Sequence, residues 1–192
     1  MERAMSKLAV IFPGIGYTVD KPLLYYSRRI AASHGYEVRP LPYGGFPRNV
    51  RGNREKMSEC YRIALAQAGE MLADVDLSAY DDVLFIGKSI GTTVSVDLAD
   101  KSPNGDRIRF VLYTPLKGTF AFPFKAAVAF TGTDDLWVGG RESRIAELCR
   151  EKHIPCFVIP EANHSLETGN PLTDIENLRY VMEETKRFMA AS

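Results

Sequence analysis

Six short apolar runs punctuate the chain, and most of them are unbroken instead of alternating. They are LAVIFP (8–13), YEVRPLPY (36–43), DVLFIG (82–87), RFVLYTP (109–115), AAVAFTG (126–132) and CFVIP (156–160). A run of four to eight β-branched and apolar residues closed by Gly or Pro reads as a strand covered on both faces. Strands of that kind belong to parallel sheets, because crossover helices cover both sides. The second run contains prolines, which places it nearer an edge.

Helix-period segments lie between most of the runs. DKPLLYYSRRIAASHG offers Asp20 as a cap, Pro22 in the first turn and Gly35 as a stop. Met57, Cys60, Tyr61, Ala64, Leu65, Ala68, Met71 and Leu72 recur on one helical face. Further helices are expected over 91–100 and in RESRIAELCREKH. Thr173 and Glu176 have the spacing of a capping box, which predicts the start of a last helix with Ile175, Leu178, Val181, Met182 and Phe188 inward. Alternating strands and helices define a three-layer α/β domain. No internal repeat or linker divides the chain, so residues 1–192 are expected to form one domain. Ligands of such sheets bind beyond the carboxyl ends of the strands. The loops beginning at Pro13, Tyr43, Gly87, Thr114, Gly132 and Pro160 are therefore expected to share one rim.

Composition narrows the partners. Lys+Arg and Asp+Glu are both 24, so nothing favours nucleic acid or an anionic membrane. The three cysteines are odd in number and lack metal-site spacing, which fits a reducing compartment. No apolar run approaches a membrane span, and the N-terminus lacks a signal-peptide pattern. The expectation is a cytoplasmic monomer or small homo-oligomer acting on a small molecule.

Residues 87–91, GKSIG, fit two chemistries. A phosphate-binding loop needs a glycine five residues before Gly87, where Asp82 stands, and the intervening VLFI is strand-like. A nucleophile elbow needs a strand, a sharp turn with Ser at its apex, small flanking residues and a helix. DVLFI, Gly87, Ser89, Gly91 and GTTVSVDLA supply all of these. The base must come from three histidines. His34 and His153 sit at helix ends, where a cation merely complements the terminus. His164, in PEANHSLE, follows the last strand and lands on the rim. The orienting acid is offered by Asp134 and Asp135 in AFTGTDDLWV. On an extended segment adjacent side chains point to opposite sides, so only one of the two can face the histidine.

The order Ser89, Asp, His164, together with PGIG, GKSIG, GTDDLWV and NHSLE, resembles the α/β-hydrolase superfamily over nearly the whole chain. It is most similar to small members related to dienelactone hydrolases. The resemblance implies a reduced, mostly parallel six-stranded sheet of order 2-1-3-4-5-6. It implies Asp135 as the acid, because GTDDLWV follows a G-x-x-D-x-x-V pattern. It implies an oxyanion hole from the amides of Ile15 and Ile90, with proline standing where the family usually has histidine. It implies no cofactor and no metal. Only TPLKGTFAFPFK separates the fourth and fifth strands, which leaves no room for a cap domain.

An open site would be bounded by Phe120, Phe122 and Trp137, whose plainer role is core packing. Loop 43–56 carries Arg48, Arg51, Arg54 and Lys56, either as an anion site or as a solvated helix approach. Lys88, if buried by the elbow, calls for a carboxylate partner. The expected activity is hydrolysis of an ester or thioester through an acyl-enzyme. The same residues would serve an amidase or acyltransferase, and a non-enzymatic binding protein on this fold is the alternative from another class.

Overall fold

The computed structural model describes residues 5–124 and 126–191. Six strands, β1 (Lys7–Phe12), β2 (Tyr36–Pro40), β3 (Asp82–Lys88), β4 (Arg109–Tyr113), β5 (Ala126–Gly132) and β6 (Cys156–Ile159), form one sheet. Its order is β2-β1-β3-β4-β5-β6 and every pairing is parallel. The proline-bearing β2 is indeed an edge strand, and β6 is the other edge. The unbroken apolar stretch 83–86 within β3 follows from its place: all seven residues of the strand are buried.

Five helices cover the sheet: α1 (Pro22–Ser33), α2 (Arg54–Met71), α3 (Ile90–Asp100), α4 (Ile145–Glu151) and α5 (Pro171–Ala190). Strand residues alternate between two cores. Ala9, Ile11, Leu84, Ile86, Val111 and Phe130 pack with Leu23 and Leu24 of α1 and Val181 and Met182 of α5. Leu8, Val10, Phe12, Phe85, Phe110 and Leu112 pack with Ala64 and Ala68 of α2, Val94 of α3 and Cys149 of α4. The first core contains a short polar chain. Ser27 Oγ lies 2.8 Å from the Tyr113 hydroxyl, which lies 2.6 Å from Thr185 Oγ1. It ties α1, β4 and α5 together at fully buried positions, where an unpaired hydroxyl would be costly.

Three local expectations change. Asp20 does not cap α1; its carboxylate pairs with Arg28 at 2.6 Å, and Lys21 occupies the cap position without a side-chain bond. Residues 141–144 are not part of α4; they belong to a 3-10 turn and its exit. Thr173 is inside α5, and the cap is Asn170, whose side chain accepts from the amides of Leu172 and Thr173. Pro171 explains the difference: its fixed φ and missing N–H suit the first helical position. Ile175, expected inward, is exposed at 62%, while Val181 and Met182 are buried.

No helix among the described residues is long and apolar enough to cross a membrane.

The cap assignment has a direct check. Asn170→Ala should lower unfolding free energy in urea by about 1 kcal/mol, whereas Thr173→Ala should cost under about 0.5 kcal/mol. The opposite ranking would restore the capping box at Thr173.

Candidate active site

The site begins with a close approach that only glycine permits. A Cβ at Gly91 would stand 2.2 Å from the Phe12 carbonyl oxygen, and one at Gly87 would stand 2.8 Å from Thr92 Cα. Both distances are below any real contact, so α3 can begin this near β1 and β3 only without side chains there. The chain must therefore reverse within one residue. That residue is Ser89, at φ 55 and ψ −121. A non-glycine residue in this region costs on the order of 1–3 kcal/mol, and the surrounding packing must hold it there. The Thr92 amide donates to the Ser89 carbonyl at 3.0 Å, which leaves the Ile90 and Gly91 amides as the free donors of the helix start.

The loops after β5 and β6 are brought together in the same way. A Cβ at Gly132 would lie 2.1 Å from the Ala162 carbonyl oxygen. Backbone bonds from Thr133 to Ile159 (3.1 Å) and from Asp134 to Ala162 (3.0 Å) close the seam. This seam carries Asp135 on one side and His164 on the other. His164 Nδ1 lies 2.7 Å from Asp135 Oδ2, and His164 Nε2 lies 2.7 Å from Ser89 Oγ. Three loops thus deliver one hydrogen-bonded chain of serine, imidazole and carboxylate. Asp135 is fully buried, and its other oxygen accepts from the Trp137 amide at 3.0 Å. Asp134 points elsewhere: its carboxylate meets Arg141 at 3.3 Å near the surface. His34 hydrogen-bonds the Ile30 carbonyl at 2.9 Å, and His153 lies just beyond α4.

Burial, and next the charge of Lys88, hold His164 below the ordinary histidine value of 6.5, against the raising pull of Asp135. The imidazole is therefore neutral near pH 7, the state a proton acceptor needs.

Beside the serine, the chain after β1 makes the turn Gly14–Tyr17, closed by reciprocal backbone bonds of 3.0 and 3.2 Å. Gly14 packs against Ser89: an added Cβ would sit 3.1 Å from Ser89 Cβ. Ile15 follows it, and its side chain joins Ile90, Val50, Met57 and Trp137 in one apolar cluster. That cluster fixes the two residues expected to supply oxyanion amides. The Trp137 ring stacks on the His164 ring, with centroids 5.2 Å apart.

An open pocket of about 520 Å³ adjoins this cluster, lined by Val50, Arg51, Arg54, Met57, Leu136 and Trp137 among others. Arg51 and Trp137 therefore meet at one cavity. Arg48 does not line it; its carbonyl instead accepts from Lys56 Nζ at 2.8 Å. Phe120 does not bound the site either. A 3-10 turn, Lys117–Ala121, folds it into the core, where it is 6% exposed and faces Phe124. Phe122 packs on the edge of the same core. Leu136 and Met57 were not singled out as pocket residues. Met57 carries the apolar periodicity of α2, which marks it as core, and Leu136 is a lone apolar residue in a loop. Among the described residues, no group of three or more His, Cys, Asp or Glu is placed to hold a metal.

The fold has solved counterparts. Similar structures include Est1E from Butyrivibrio proteoclasticus, determined with ferulic acid bound: TM-score 0.67, 13% identity, covering 98% of this chain and 90% of that one. A lid-less α/β serine hydrolase from Xanthomonas campestris aligns with TM-score 0.61 and 14% identity over 95% of this chain and 82% of that one. Alpha/beta hydrolase domain-containing protein 10 from mouse aligns with TM-score 0.64 and 11% identity over 95% and 89%. The chain has the α/β-hydrolase fold. No family model matches it, and no curated protein matches it in sequence.

Backbone strain at the turn is measurable. Ser89→Gly should be more stable than Ser89→Ala by about 1 kcal/mol or more, because glycine alone relieves a positive φ and more than offsets its own entropy cost. Denaturation of the two variants tests it, and an alanine variant as stable as the glycine one would mean the turn is unstrained.

Proposed function

We propose that the protein is a serine hydrolase that cleaves an ester or thioester bond of a small substrate. The observation that carries this reading is the continuous chain Ser89–His164–Asp135, with both links at 2.7 Å, on the rim of the sheet. Ser89 Oγ attacks the substrate carbonyl while His164 Nε2 takes its proton. Asp135 holds the imidazole in the tautomer with the proton on Nδ1 and stabilises the imidazolium that forms. The negative carbonyl oxygen is received by the amides of Ile15 and Ile90, with the start of α3 behind them. Collapse expels the alcohol or thiol, which takes the proton from His164. Water then attacks the acyl-enzyme by the same route in reverse, and Ser89 is regenerated.

The pocket beside Trp137 is read as the substrate's seat. Its apolar lining suits a hydrocarbon or aromatic portion, and Arg51 and Arg54 at its mouth suit an acidic group. Arg48, outside the pocket, has no part in this reading.

A fluorophosphonate probe should label the wild-type protein at Ser89 and leave Ser89→Ala unlabelled; labelling at another serine, or none, would sink the proposal. Asp135→Asn should lower kcat on a short-chain ester by up to about 10⁴, with Asp134→Asn within a few-fold of wild type.

Arg51→Ala should raise KM for an acidic ester several-fold and leave a neutral ester unchanged, as a lost substrate-binding contact does. Arg48→Ala should do neither. Equal effects on both esters would make Arg51 structural.

A further inference from the structure

Lys88 precedes the serine and is one of the most deeply buried side chains of the protein, at 1% exposure. A buried ammonium is expected to have a carboxylate against it. Among the described residues Lys88 has none within ion-pair range; its Nζ instead stands 4.9 Å from the centre of the Tyr17 ring. Its Cγ packs by Gly14, 3.4 Å from where a Cβ would be. Lys88 thus lies behind the nucleophile and under the Gly14–Tyr17 turn that carries the Ile15 amide. An isosteric apolar side chain would fill the same space without the desolvation cost of a charge.

We propose that Lys88 is a positioning residue: a buried cation that holds the Gly14–Tyr17 turn through Tyr17 and sets the field in which Ser89 passes its proton to His164. A positive charge there opposes a second positive charge on the resting imidazole and favours negative charge on the serine and carbonyl oxygens. The ionisable groups facing this pair are few. Asp135 comes from the loop after β5 and Glu167 from the turn after β6, and both act on Lys88 as opposite charges. Tyr17, from the turn after β1, is pushed up to about 12 by burial and stays neutral. Burial draws Lys88 itself down to about 7 against the pull of those two carboxylates, so its charge is present in the acidic range where His164 takes up its proton, and the field fades as the pH rises through 7.

This role rests on the serine hydrolase reading, but its test does not need turnover. NMR of the three histidine rings, with His164 assigned by its loss in His164→Gln, gives the titration midpoint directly. In the wild type it should lie below 6.5. In Lys88→Met it should rise by about one pH unit, the size a unit charge produces across roughly 10 Å at an effective dielectric of about 20. His34 and His153 serve as internal controls and should not move. Lys88→Leu should repeat the shift, and both variants should be at least as stable as wild type. Fluorophosphonate labelling of Ser89 at pH 6 should slow by several-fold in both. A His164 midpoint unmoved or lowered in either folded variant overturns the proposal. If neither variant folds, Lys88→Gln, uncharged and of similar length, takes their place under the same criterion, and a wild-type midpoint at or above 6.5 overturns the proposal outright. Absence of labelling in wild type would count against the hydrolase reading alone, leaving the His164 titration to decide the role of Lys88.

Discussion

The carbonyl oxygens of Phe12 and Pro13 occupy the space where a Cβ at residue 91 would have to be, and this one contact organises the rest of the site. It lets α3 start against the ends of β1 and β3. With the helix that near, the chain leaving β3 has no gentle way to enter it, and Ser89 takes a conformation few residues tolerate. The same nearness places the first amides of α3 beside the Pro13–Gly14–Ile15 segment. The conformation of Ser89, the helix terminus and the placing of the Ile15 segment are consequences of a single packing distance. The strain is carried by a strand whose seven residues are all buried, so the cost is met by the sheet.

A second close approach, at Gly132, does the same for the other half. It joins the loops after β5 and β6 by backbone contact, so the separation of Asp135 and His164 depends little on the long side chains around them. Asp135 is then locked on two sides, by the imidazole and by the Trp137 amide. A carboxylate buried with both oxygens engaged has little freedom to rotate, and that immobility fixes the tautomer of the ring it faces. Trp137 serves twice: its amide steadies Asp135 and its ring covers His164.

Much of this was legible in the sequence for identifiable reasons. The six apolar runs report double-sided burial, so they gave the strands and the parallel sheet. GKSIG could be read because its glycines and its strand and helix flanks each have a steric meaning. His34 and His153 could be set aside because helix ends account for them. The misreadings have equally definite causes. Capping signals are degenerate, and Pro171 outweighed the Thr173–Glu176 spacing. Phe120 and Trp137 look alike in sequence; a 3-10 turn sends one into the core and leaves the other over His164. Lys88 was expected to find a carboxylate, because local sequence cannot show that an aromatic ring of a distant turn would cover it instead.

The rim also constrains how selectivity can arise. Between β4 and β5 the described residues form only the 3-10 turn Lys117–Ala121 and short extended pieces. Leu116, just before that turn, packs on the Ile90 cluster, so a molecule bound as proposed would meet that cluster from the side. The side wall is the cluster of Ile15, Val50, Met57, Ile90 and Trp137. Two of these residues also carry the amides assigned to the oxyanion. A substrate group wedged into that wall would press on the segments that set the amide positions, coupling its fit to the reacting carbonyl. The loop before α2 supplies Val50 and Arg51 from the edge of the wall, and Arg51 is exposed. An ion pair made there alone would be weak and salt-sensitive, as exposed pairs are. On the proposed function, apolar fit against the wall would therefore supply most of the binding, with the arginine selecting among molecules that already fit.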